Sequence, residues 1–123
     1  MNRKVSIQIR NEETDVLKIL TIYAKNQGSK SPEKLYMVYT KLVYKTLNIA
    51  SGLRGEFNPQ VLSLIATEEI IIAQTVIELM KKNIHYKIIY QEVKQKLNSF
   101  VGLISVKEIY KVDKELYTIK LAS

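Results

Sequence analysis

The sequence predicts a mainly α-helical fold of the α+β class: an N-terminal strand, about four helices around a central hydrophobic helix, and a C-terminus with two readings, β-hairpin or helix. Three observations carry this. Asn58 to Asn83, NPQVLSLIATEEIIIAQTVIELMKKN, is apolar on most of its circumference, so it needs neighbours on more than one side. Lys4 to Arg10, KVSIQIR, alternates strictly between apolar and polar, the period of a half-buried strand. Between them lie helix stops and starts, Gly28 and then Ser31-Pro32.

Along the chain, the strand puts Val5, Ile7 and Ile9 on one side and Lys4, Ser6, Gln8 and Arg10 on the other. Asn11 to Gln27 then reads as a helix: Glu12, Glu13 and Asp15 crowd its first turn, where the dipole favours acids. Val16, Leu17, Leu20, Tyr23 and Ala24 form its apolar stripe, and Gly28 is placed as a left-handed cap. Ser31 as cap and Pro32 at the first position open a second helix, with Leu35, Val38, Leu42 and Tyr39 toward the core.

Strand, helix, Gly-containing turn and helix over Lys4 to Leu47, with YAKNQGSKSPEKLY as the local match, resemble the ribbon-helix-helix family of dimeric DNA-binding proteins. The resemblance implies a homodimer, or a higher homo-oligomer, whose paired strands enter the major groove of duplex DNA. It also implies that Ser6, Gln8 and Arg10 face base edges, with Lys4 beside them, and that the helix start near Lys30 and Ser31 meets a phosphate. A single short strand needs a partner strand, which also points to a dimer or to pairing with Tyr117 to Leu121 of the same chain.

Residues 48–57 form a linker, so the chain divides into 1–50, a DNA-binding and dimerisation region, and 51–123, a helical region with a C-terminal hairpin as one of its two readings. Gly52-Leu53-Arg54-Gly55 is a GxxG, the pattern with which KH-class RNA binders clamp a backbone. A flexible turn is the simpler reading, and Arg54 stands as a candidate contact. In the central segment Asn58 caps and Pro59 suits the first helical position. Unbroken, it runs roughly 35 Å. Residues 62, 65, 66, 69, 73, 76 and 80 share a face, and Thr67-Glu68-Glu69 interrupts the apolar run, which argues against a membrane span and allows a helix break at Thr67. Ile84 to Leu97 follows as a helix with Ile89, Val93 and Leu97 inward. Beyond it, Ser105 to Glu108 is a capping-box pattern for a helix, while KEIYKV and ELYTIKL flank Asp113-Lys114 as the arms of a hairpin.

Composition narrows the function. The 123 residues are 46% hydrophobic and 25% charged, within the range of a globular chain. Without cysteine there is neither disulfide nor thiolate metal site, and with no signal peptide in MNRKVSIQIR the expected location is cytoplasmic. The net charge is +7 and the pI near 9.5. Residues 1–50 hold nine Lys/Arg against four acids, so the excess is mostly N-terminal and points to a polyanion. No phosphate loop, dinucleotide fingerprint or zinc-protease motif occurs, and the lone His85 has no partners in sequence for a metal or a nucleophile. The expectation is a non-enzymatic protein without metal or cofactor. Tyrosines interleave with lysines, as in Tyr86-Lys87 and Tyr90; such rings stack on single-stranded bases or, more often, half-bury at an interface.

The sequence-based conclusion is a small dimeric nucleic-acid-binding regulator, a repressor or plasmid-partition protein of a plasmid or virus. The alternative is a helical oligomeric protein that binds a protein partner through its C-terminal helical region.

Overall fold

The computed structural model describes residues 3–49 and 59–122, without the side chains of residues 3, 6 and 105–122. Four α-helices are present among them: α1 (Arg3–Asn26), α2 (Leu35–Leu47), α3 (Pro59–Lys81) and α4 (Tyr86–Ala122), with a 3-10 turn, Pro32–Lys34, leading into α2. The mainly α reading holds. No strand occurs among the described residues.

The N-terminal strand is a helix instead. Lys4 to Arg10 is the start of α1, which runs 24 residues to Asn26. Two physical reasons favour this. No glycine or proline interrupts the chain before Gly28, and a lone strand would leave its N–H and C=O groups unpaired, whereas a helix satisfies them internally. The core-facing row of α1 is Arg10, Glu13, Leu17, Leu20 and Ala24, spaced 3, 4, 3 and 4, and it extends past the alternating stretch. Val5 and Ile7, read as a buried strand face, are exposed.

Of the two C-terminal readings, hairpin and helix, the structure has the helix. α4 continues over 37 residues to Ala122, and after Gly102 the sequence offers no glycine or proline to turn the chain. α3 is also unbroken at Thr67, whose hydroxyl bonds back to Ser63 O at 2.8 Å within the helix. Pro59 opens α3 as expected, while Asn58, the expected cap, lies outside the described residues. Gly28 has φ of +95°, the left-handed cap the sequence predicts, and Asn48 and Asn83 end α2 and α3 in the same conformation. Ser31 precedes the 3-10 turn without a capping hydrogen bond from its side chain.

α3 is the central element and packs on the other three helices. It buries Ile65, Ala66, Ile72 and Val76, against Leu17 and Leu20 of α1, Tyr39, Leu42 and Val43 of α2, and Ile89, Val93 and Leu97 of α4. Each such side chain contributes about 1.5–3 kcal/mol by leaving water. By length and composition alone α3 could cross a membrane. Here other helices cover part of its apolar surface, Ile70 and Ile77 stay exposed, and the buried Glu68 and Glu69 sit within it.

Directions follow from the contacts. Arg10 meets Glu69 and Tyr23 meets Ile84, so α1 and α3 run the same way. Leu35 and Val38 line a cleft with Tyr86 and Tyr90, so α2 and α4 run together in the opposite sense. The α1–α2 connection and the α3–α4 turn therefore meet at one end of the bundle.

Candidate nucleic-acid interface

Two hydrogen bonds fix that end. The Tyr23 hydroxyl donates to Ile84 O, and the Tyr86 N–H donates to Gln27 Oε1 at 2.8 Å. The second bond caps α4 with a side chain from the other connection. His85 accepts from the Lys87 N–H through Nδ1 at 3.2 Å, so the one histidine helps to close the first turn of α4.

Around these anchors the lysines gather. Lys25, Lys30 and Lys34 come from the first connection and its flanks, Lys81, Lys82 and Lys87 from the second, and all six are exposed. Residues 25–34 and 78–87 carry two acids, Glu33 and Glu78, so twenty residues hold a net +4 of the chain's +7. Lys82 reaches Glu78 at 3.3 Å, an exposed pair of little energetic weight.

Position within the helices separates these lysines. Lys25 and Lys81 lie in the last turns of α1 and α3, where a cation suits the helix dipole and needs no further reason. Lys34 and Lys87 are at the starts of α2 and α4, where the dipole disfavours a cation, and neither helix has an acid in its first turn. Lys34 also ends the 3-10 turn, directly after Glu33, so Lys87 is the clearer case of a charge set against a helix dipole. A bound anion would offset that charge.

The opposite half of the bundle handles charge differently. Arg10 Nη1 lies 2.8 Å from Glu69 Oε2, and Glu69 is fully buried; Arg10 Nη2 is 3.5 Å from the Thr40 hydroxyl. Glu68 is also fully buried, with both carboxyl oxygens on Thr46 Oγ1 at 2.7 and 2.8 Å. Burial pushes the Glu68 carboxyl up to about 7, against a smaller lowering by the Thr46 hydrogen bond. The Thr46 hydroxyl donates toward the Glu68 carboxyl and also lies 3.1 Å from Val43 O. Glu13 is buried on the adjoining face of α1.

The residues read as a DNA-contacting row are thus divided. On a helix Lys4 and Gln8 fall on one side, both exposed, and Arg10 falls on the other, turned inward to Glu69. Lys30 and Ser31 belong to the lysine end, roughly 27 Å away along α1 from Gln8 at about 1.5 Å per residue. The side chain of Ser6 and the whole of Arg54 lie outside the described residues. Of the remaining lysines, Lys87 stood out in the sequence only beside Tyr86 and Tyr90, and Lys25, Lys34, Lys81 and Lys82 were not read as contacts. The signal was available in the element order, because consecutive antiparallel helices bring their first and third connections to the same end.

Among the described residues no three His, Asp or Glu side chains converge as metal ligands. Compared with protein families, curated proteins and solved structures, the chain matches none.

Proposed function

We propose that this chain is a non-enzymatic nucleic-acid-binding protein that engages phosphates through its lysine end. The observation that carries the reading is the pair of lysines at the starts of α2 and α4, set among four more exposed lysines with two acids nearby. Lysines on fixed backbone anchors suit phosphate contact, which supplies affinity and salt dependence rather than base specificity. A regulatory role, as a repressor or partition protein, is an extension of this reading. The paired strand that the ribbon-helix-helix resemblance implies is not formed, so the strand no longer supplies a reason for a dimer.

The test is fluorescence anisotropy with labelled nucleic acid at about 50 and about 200 mM salt, run on the wild-type chain and on a Lys30→Gln/Lys34→Gln/Lys87→Gln variant. Binding is expected to weaken with a log-log slope of roughly −0.9 per phosphate contacted on a duplex, or about −0.7 on a single strand. The triple variant should lose about three contacts from that slope, and Lys4→Gln/Gln8→Ala should lose none. No binding by the wild-type chain at the lower salt overturns the reading.

One feature favours a protein partner as the second reading. Ile9, Val16, Ile70, Ala73 and Ile77, together with Glu12, Glu13, Glu69 and Gln74, line an open groove of about 230 Å³ between α1 and α3, with Ile70 and Ile77 partly exposed. Ile77→Lys should then abolish self-association or partner capture and leave salt-dependent nucleic-acid binding intact.

A further inference from the structure

Beside the lysines lies a cleft that phosphate contact does not use. Leu35 and Val38 of α2 form one wall, and Tyr86, Lys87, Tyr90 and Gln91 of α4 the other, around a cavity of about 310 Å³. Tyr86 and Tyr90 are one helical turn apart and so lie one above the other. Lys87 and Gln91 form a parallel row with the same spacing.

Both rings are already held. The His85 ring lies against Tyr86 with centroids 4.6 Å apart and planes inclined by 31°. Tyr90 meets the buried Tyr39 edge-on, with centroids at 5.7 Å and planes at 83°. The Tyr86 backbone is tied to Gln27. Neither ring needs to be ordered by a ligand, which lowers the cost of binding one.

A planar apolar group flanked by anionic charge fits this arrangement. Leu35 and Val38 cover one side, the tyrosines the other, Lys87 lines the cleft, and the exposed Lys34 directly precedes Leu35 in the chain. A nucleobase on a phosphate backbone has those properties when it is unpaired. A base inside a duplex cannot leave its stack without an unstacking cost.

We infer that the α2–α4 cleft receives a base of single-stranded nucleic acid, stacked on Tyr86 and Tyr90, while Lys34, Lys87 and the neighbouring lysines hold the flanking phosphates. The inference rests on the nucleic-acid reading above and adds the class of strand. It makes the protein a binder of unpaired rather than duplex nucleic acid.

The experiment compares labelled DNA and RNA single strands of about 15 nucleotides, within the usual range of such sites, with a duplex of the same length. Wild-type protein is expected to bind at least one single strand roughly tenfold more tightly than the duplex. Tyr86→Leu, which keeps apolar bulk and removes the ring, should weaken single-strand binding about 5- to 100-fold, as for loss of one stacked base, and leave duplex binding unchanged. A DNA strand that outcompetes RNA, or the reverse, identifies the natural source. Because Tyr86 also packs on the core, a second measurement stands apart from the variant: photo-crosslinking of a strand bearing 5-iodouracil to the wild-type protein should map to residues 86–91. Equal or tighter duplex binding, or crosslinks wholly outside that segment, overturns the cleft while leaving the lysine end standing. Absence of binding to every probe overturns both.

Discussion

The two ends of this bundle treat charge in opposite ways. In the half around Arg10, ionisable groups are wholly or partly buried and held by polar partners: Arg10 with Glu69 and Thr40, Glu68 with Thr46. At the other end they are exposed, nearly all positive, and in two cases set against the helix dipole. Buried pairs are costly to break because the remaining partner stays desolvated, so that half governs stability. Exposed like charges cost little to remove and attract anions from solution, so on the proposed reading the lysine end governs association. Charge count alone does not distinguish these roles; depth does.

The comparison is sharpest at Glu68. Folded, it holds its proton to about pH 7; unfolded, it releases it near its ordinary 4.5. Below pH 4.5 both states are protonated and its contribution is complete, and stability falls as the pH rises from 4.5 through 7 and then levels off. Glu68→Gln should flatten that fall, stabilising the protein by up to about 3 kcal/mol at pH 8 and by almost nothing at pH 4, measured by urea unfolding across the range. A wild-type stability that rises between pH 5 and 7, with the variant following it, would break the assignment of Glu68 as a buried, protonated acid.

Next in size is Arg10→Met, which deprives the buried Glu69 of its guanidinium. A loss of about 2 kcal/mol is expected, less than for a fully enclosed pair because Arg10 is itself about one third exposed (34%). Nucleic-acid affinity should not change. If affinity falls while the fold remains intact, Arg10 serves the contact surface after all and the division between the two ends fails.

A smaller effect tests the core between them. Burial first, and then the neighbouring Tyr90, raise the Tyr39 hydroxyl well above the ordinary tyrosine range, and that hydroxyl has no hydrogen-bond partner among the described residues. Tyr39→Phe should be neutral or stabilising by about 1 kcal/mol in thermal unfolding. Smallest of all, Lys34→Glu should stabilise α2 by a few tenths of a kcal/mol through its dipole while weakening nucleic-acid binding severalfold. Opposite signs from one substitution would be the clearest mark of a charge kept for binding.

Much of the fold was legible in the sequence. Gly28, Pro59 and the Ile89, Val93, Leu97 row mark helix ends and faces by local chemistry, and the structure has them there. The errors share a cause. Seven residues of alternation in KVSIQIR, and β-prone runs around Asp113, record local preference, whereas helix or strand was decided by whether a pairing partner existed and whether anything stopped a neighbouring helix from extending. The candidate interface was legible at Lys30 and Ser31, and at Lys87 beside Tyr86 and Tyr90. Its remaining lysines lie about fifty residues further along or on helix flanks, and nothing local in Lys81-Lys82 says that Gln27 is nearby. That proximity belongs to the up-and-down order of the helices.

The hydrogen bonds from Tyr23 and Gln27 to the α3–α4 turn carry a kinetic consequence. They bind two surface connections to each other, so the backbone that carries the lysines is set before any ligand arrives. Association then resembles the docking of a rigid body, and its rate is governed by long-range attraction, rising steeply as salt is lowered. Dissociation is left to the short-range contacts in the cleft. On the proposed reading, on-rate and residence time are separately adjustable, the first through the lysines and the second through Tyr86.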